Sequence, residues 1–327
     1  MNAPLHHIPD LTPRAAFPEA ADDGYIRMVQ ALRAADGDPS KLPEPLSIRY
    51  QHNLAANLMK EKVFFSVAAE LAAGGIPAVL PIKGMHLLQT LYRDLPGIRT
   101  MVDIDILVPR AELAKLPAII RAHPAWQPDM RRLLDLRARI ATDLSFVTDH
   151  TSVEVKRDLV LMPVVDLAPF FAAARRVTIS GKEARLLDPD HAAILYILHH
   201  IGDHLLHYGR IEHRHLAEFS VILANLGDTP AFRELCRAAG IERWYDLILF
   251  LIYTLFEHPV VAPADFTIHP AFSCIEKRRD GTLGPTGTAR LTAFLYGAWT
   301  VPLLFRNAIL WLPKRLIHRR GAIHRAH

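Results

Sequence analysis

Apolar positions recur at helical spacing over residues 46–73, through Leu54, Leu58, Val63, Phe64, Val67 and Leu71, and Gly74-Gly75 stops the run. One long helix is predicted there. A short β-type run follows over 76–82, then Lys83-Gly84 and a second helical stretch over 85–92. Residues 100–108 read as a buried strand interrupted by two acids, closed by Pro109 and a helix beginning near Ala111. Residues 144–147 and 152–155 form a predicted strand pair across the turn Thr148-Asp149-His150-Thr151. Beyond them the pattern changes. Residues 185–189 read as a loop, a long helix is predicted over about 191–207, and further helices over 213–226, 231–239 and 244–257. This order predicts an α/β half followed by an all-helical half. The first forty-odd residues are rich in Pro, Asp and Ala and read as an extension and connector. The chain then divides into 1–45, an α/β core over 46–185, and a helical domain over 186–327.

Composition adds bounds to this picture. The 327 residues are 50% hydrophobic and 22% charged, a globular balance with enough chain for a sizeable core. Lys and Arg exceed Asp and Glu by four, 38 against 34. That excess suits phosphate-bearing substrates but is too small to mark a nucleic-acid binder. Cys236 and Cys274 have no metal-ligand spacing and imply no disulfide framework, as expected in a reducing compartment. Residues 1–14 lack the apolar core of a signal peptide. The apolar stretch 291–305 contains Pro302, stops at Arg306 and is shorter than a membrane-spanning helix requires. A soluble, cytoplasmic protein is expected. The tail joins Trp299, Phe305 and Trp311 to Lys314, Arg315, Arg319, Arg320 and Arg325, a combination found in membrane-surface segments. Helix packing with a charged end is the commoner source of such a pattern.

Asp103-Ile104-Asp105 carries the first chemical signal. Residues two apart in a strand share a face, so the carboxylates project together while Ile104 and Ile106 enter the other face. Two buried like charges raise one another's pKa, and a hard divalent cation removes that penalty. Taken alone, the pair reads more readily as surface aspartates on an edge strand. Lys83-Gly84 lies between a strand and a helix, where glycine lets backbone N–H groups approach a phosphate and the lysine supplies a point charge. Tyr92, Arg93, Gly97 and Arg99 fill the interval before the aspartates.

In order, Ile82-Lys83-Gly84, Leu91-Tyr92-Arg93-Asp94, Arg99 and the run from Val102 through Asp103, Asp105 and Leu107 to Val108 resemble a known signature. It is that of a bacterial family of uncharacterised nucleotidyltransferases in the DNA-polymerase-β-like superfamily. The likeness is specific over this span and weaker but colinear over 54–226. It implies a minimal α/β nucleotidyltransferase core with a mixed sheet, an N-terminal helix and a C-terminal helical domain. It also implies that Asp103 and Asp105 bind Mg²⁺, which holds a nucleoside triphosphate, and that a third carboxylate completes the site. Glu154 is the candidate, on the strand face opposite Val153 and Val155, with Lys156 where the family commonly has histidine. Asp149 and Asp158 are the substitutes if the register differs. Lys83, Gly84 and Arg99 would meet the triphosphate. The implied reaction moves a nucleoside monophosphate to a hydroxyl or phosphate acceptor and releases pyrophosphate, with two metals clamping the attacking and leaving oxygens. The acceptor stays open among small molecule, peptide, protein and RNA end. The rival from another class is a catalytically inactive nucleotide- or partner-binding protein on the same fold.

A second constellation comprises His199, His200, Asp203, His204, His207, His213 and His215. On a helix His200 and His204 stand one turn apart, as do His199 and Asp203, and such pairs can ligate a metal. This allows a metal-dependent phosphohydrolase of the HD type, although no adjacent His-Asp pair is present. A solvated or core-satisfied helix face accounts for the same residues without any metal.

Overall fold

The computed structural model describes residues 7–128, 134–135, 138, 143–148, 151–158, 165–226, 229–278, 282–286, 291 and 295. The expectations resting on Asp149, on the Asp203 and His207 side chains, and on the basic tail lie outside the described residues.

Two short elements, α1 (Pro18–Ala21) and α2 (Gly24–Ala34), precede the long helix α3 (Glu44–Ala73). The Asp23 carboxylate caps α2 by accepting from the N–H groups of Tyr25 and Ile26. Ile26, Met28, Val29 and Leu32 are then buried in the same core as the carboxyl-terminal helices. The segment read as extension and connector therefore contains a capped helix built into the main core. Pro45 stands in the first turn of α3, and Gly75 at φ +85° with the bond from Ile76 N to Leu71 O stops it. Along α3, Leu58 is exposed and Asn53 and Asn57 are buried. The inward face is thus partly polar where the apolar pattern predicted leucine.

The sheet runs in the order β1-β2-β5-β4-β3, comprising β1 (Leu80–Pro81), β2 (Ile104–Leu107), β3 (Gln127–Pro128), β4 (Asp143–Val147) and β5 (Ser152–Lys156). β2 and β5 are parallel and the other neighbours antiparallel, so the sheet is mixed, as expected. Between them come α4 (Lys83–Gln89), a 3₁₀ turn (Leu113–Lys115) and α5 (Leu116–Ala122). The predicted strands over 76–82 and 100–108 shrink to the residues that pair.

After β5 come α6 (Ala168–Ala173) and a hairpin of β6 (Arg175–Ile179) and β7 (Lys182–Leu186). Ser180 and Gly181 both have positive φ, as a two-residue type I′ turn requires. The sequence pattern predicts only a loop, over 185–189, at the end of this segment. The helical half follows: α7 (Pro189–His199) continuing as a π-helix (His200–His207), then α8 (His213–Ala224), α9 (Thr229–Ala238) and α10 (Glu242–Leu255). A last strand pair joins β8 (Ile275–Lys277) to β9 (Leu283–Pro285). Among the described residues no helix is long and apolar enough to cross a membrane.

Two apolar clusters meet at β2. Ile104 and Ile106 pack with Phe64, Val67, Val153 and Val155, whereas Leu107 belongs to the cluster of the helical half. Asp105 shares the Leu107 face by strand alternation. The acids therefore sit at the seam between sheet and helices.

Candidate functional site

Asp105 on β2 is the register partner of Glu154 on β5. Asp103 lies in the bend just before β2, so it joins through loop geometry rather than strand alternation. Oxygens of Asp103, Asp105 and Glu154 all lie within 4.8 Å of one another. Val153 and Val155 are fully buried on the opposite face of β5, the alternation the sequence suggested for Glu154. Asp158 stands outside the cluster and pairs with Arg110 at 2.9 Å.

Two lysines enter this group of acids. Lys83 Nζ donates to Asp105 Oδ1 at 2.6 Å, and Lys156 Nζ stands 2.7 Å from Glu154 Oε2 and 3.7 Å from Asp105 Oδ1. Burial alone would raise the Asp105 pKa, but Lys83 and Lys156 overcome it and hold the carboxyl at about 2. Asp103 goes the other way, raised by burial and then by the charge of Asp105. Lys83 has φ +51°, a left-handed conformation that costs roughly 1–2 kcal/mol for a residue with a side chain. Lys156 was visible in the sequence only as a departure from the family pattern. Its ammonium is nearly buried, and only the strand register reveals what it touches.

Gly84 is explained by close approach. A Cβ there would lie 3.1 Å from the Met101 side chain and 3.2 Å from Arg99 Cζ. The Arg99 guanidinium thus packs over the Lys83-Gly84 backbone. Its Nη1 also donates to both carboxylate oxygens of Glu218 on α8, at 2.7 and 2.8 Å. Tyr196 OH donates to Glu218 Oε2 at 2.9 Å, and Tyr92 OH reaches Oε1 at 3.5 Å and Tyr25 OH at 2.6 Å. Burial drives all three tyrosine hydroxyls well above their ordinary pKa, so they stay protonated donors. Glu218, Tyr25 and Tyr196 had no motif to mark them, because their link to Arg99 is made across the fold.

The loop carrying Arg99 is clamped from α3. Asn53 Nδ2 donates to Gly97 O at 3.1 Å, and Asn57 Nδ2 to Pro96 O at 2.7 Å and Arg99 O at 2.9 Å. Thr100 Oγ1 donates to Asn53 Oδ1 at 2.9 Å. These bonds satisfy backbone carbonyls that helix or sheet does not reach.

The histidines form a second cluster beside the acids. The ring of His200 lies 4.8 Å from that of His199, 4.9 Å from His204 and 4.2 Å from His215. Burial, then neighbouring cations and histidines, drives His199, His200 and His215 well below their usual pKa, so these rings are neutral at pH 7. His199 also feels the charge of Asp105, which puts the two clusters side by side. His213 packs edge-on against Phe17 at 6.2 Å.

A family model described as "Uncharacterised nucleotidyltransferase" matches residues 27–257. That span takes in α3, the sheet, the three acids, both lysines, Arg99, Glu218 and the histidines. No curated protein matches the chain.

Proposed function

The chain belongs to the uncharacterised nucleotidyltransferase family, whose membership supports a general role in nucleotidyl transfer, and from that premise we propose that the cleft of Asp103, Asp105 and Glu154 is its active site. The proposed reaction is Mg²⁺-dependent transfer of a nucleoside monophosphate from a nucleoside triphosphate to a hydroxyl or phosphate acceptor. The observation that carries the reading is the convergence of the three carboxylates within 4.8 Å.

The donor set fits a hard cation. All three ligands are oxygens, and the raised Asp103 carboxyl has negative charge that Lys83 and Lys156 do not fully offset. Bound Mg²⁺ would neutralise charge developing on the phosphoryl oxygens and on the leaving group.

The chain's own residues supply positioning and charge. The acceptor oxygen attacks the α-phosphorus, the bond to the β-phosphate oxygen breaks, and pyrophosphate leaves in line. Glu154 receives the proton of an acceptor hydroxyl, while Lys156 orients Glu154 and Asp105. Lys83 exchanges its contact with Asp105 for the β- and γ-phosphates. Arg99, fixed by Glu218 and packed over Gly84, sets the shape of the triphosphate-binding turn and offers its remaining N–H groups. The test is a screen of ATP, GTP, CTP and UTP, each with Mg²⁺, scoring pyrophosphate release against hydroxyl and phosphate acceptors. Release that needs Mg²⁺ and disappears in Asp103→Asn supports the reading.

One observation favours a second reading, a nucleotide- or partner-binding protein that has lost catalysis. Lys156 is buried against Glu154 and Asp105, where it satisfies carboxylates that a cation would otherwise need. Nucleotide binding without pyrophosphate release across the acceptor panel would select it.

A further inference from the structure

We propose that His199, His200 and His204 form a binding site for a divalent transition metal of the zinc class, separate from the carboxylate cleft and walled by His215. Donor nitrogens of the three histidines lie within 4.8 Å of one another. Tetrahedral ligands at a Zn–N distance of roughly 2.0–2.1 Å stand about 3.4 Å apart, so modest ring rotations bring them into range. The π-helix makes this convergence. At 3.6 residues per turn, positions 199 and 204 would lie on nearly opposite faces of a helix. The wider i→i+5 turn that starts at His200 returns His204 beneath both His199 and His200. Ring centroids of His199 and His204 are consequently 4.9 Å apart, the same separation as His200 and His204.

A packing role alone leaves one fact unexplained. The Nδ1 atoms of His200 and His215 are buried and have no hydrogen-bond partner among the described residues. Both rings are buried, and a buried polar atom without a partner is a destabilising feature that folded proteins rarely keep. His215 faces both His200 and His204, at 4.2 and 4.4 Å. A cation held by the cluster would give the His200 lone pair a partner.

The ligand chemistry separates this site from its neighbour. An all-imidazole set selects borderline metals such as Zn²⁺, Co²⁺ or Ni²⁺, whereas the oxygen cluster selects Mg²⁺. Lys83, Lys156, Arg99 and Arg214 act electrostatically on these histidines and oppose a cation. Asp105, Glu154 and Glu218 offset the first three through direct ion pairs. Access is from the His204 side, where that ring is half-buried and packs near the exposed Tyr208. Three protein nitrogens leave a coordination position for water on that side. The proposal does not rest on the transfer reaction.

The test uses the full chain without a histidine tag, stripped by chelator and titrated with Co²⁺ while visible absorption is recorded. One equivalent should bind with the intense d–d bands of a four-coordinate ion and resist a large excess of Mg²⁺. His200→Ala and His204→Ala should each weaken that binding at least tenfold, whereas His213→Ala and Asp103→Asn keep it. His204 is half-buried, so its variant remains informative if His200→Ala fails to fold by circular dichroism. Absence of four-coordinate bands in the parent, their persistence in a folded His204→Ala, or their loss in Asp103→Asn would overturn the proposal.

Discussion

Glu154 and Lys156 stand two residues apart on one face of β5 and are joined by an ion pair of 2.7 Å, beside Asp105 on the neighbouring strand. The lysine's charge is thus built into the same sheet register that collects the acids. Its chain reaches across from the position paired with Leu107, and its side chain is as buried as that of Asp105.

Replacing Lys156 by Met should therefore expose the repulsion among the carboxylates. Breaking a buried ion pair on one side costs about 3–5 kcal/mol. Urea unfolding without divalent cations should show a loss of that order. Added Mg²⁺ should stabilise Lys156→Met more than the parent, because the cation then supplies the missing charge. Equal Mg²⁺ effects on both proteins would show that the acids do not share a cation.

Asp103→Asn is expected to separate stability from activity. The Asp103 carboxyl is raised by burial and by Asp105, so its ionised form destabilises the fold at pH 7. The neutral amide should raise the melting temperature while reducing transfer activity by at least about a hundredfold, since each tenfold is 1.36 kcal/mol of lost transition-state stabilisation. A variant both less stable and fully active would mean that Asp103 has a structural role.

Glu218 anchors Arg99, so Glu218→Gln should be severe although it is isosteric. It leaves a half-buried guanidinium without its carboxylate partner, at a cost approaching the roughly 3–5 kcal/mol of a broken buried pair. Chemical denaturation is the check. A loss below about 1 kcal/mol, the range of exposed pairs, would contradict the tie.

Acid should destabilise the metal-free protein in two stages. Burial lowers the pKa of His86 and His215, so below about 6.5, the ordinary histidine value, the unfolded chain binds protons that the native state refuses. Stability from these groups is present above that pH and falls as pH drops toward their native values. Asp105, held at about 2, adds stability above the ordinary carboxylate range that is lost as pH falls through its folded value. Urea midpoints from pH 8 to 3 should decline first between 6.5 and 5, and His215→Phe should flatten that limb. An unchanged limb would remove His215 from the account.

Much of this was legible in the chain because strand alternation is local. Asp105, Glu154 against its valines, and the α/β-then-helical order follow from spacing over a few residues, whereas Asp103 joins them through the bend before β2. α2 escaped because its apolar positions lie within a Pro- and Asp-rich segment whose burial depends on α8. The β6–β7 hairpin depends on two positive φ angles at a Ser-Gly turn, a weaker signal than Asn-Gly. Asn53 and Asn57 broke the apolar stripe of α3 because their partners are carbonyls of residues 96–99. Glu218 and the π turn at His200 are tertiary features, and no short-range pattern announces either.

The most direct test of the carboxylate cleft is calorimetric titration of each of the four nucleoside triphosphates into the parent and Asp103→Asn, with and without Mg²⁺. Binding does not require the acceptor to be known. At least one nucleotide should bind the parent only with Mg²⁺, and Asp103→Asn, folded by circular dichroism, should bind it at least tenfold more weakly. Equal affinity in the two proteins, or no nucleotide binding by the parent, would contradict the assignment.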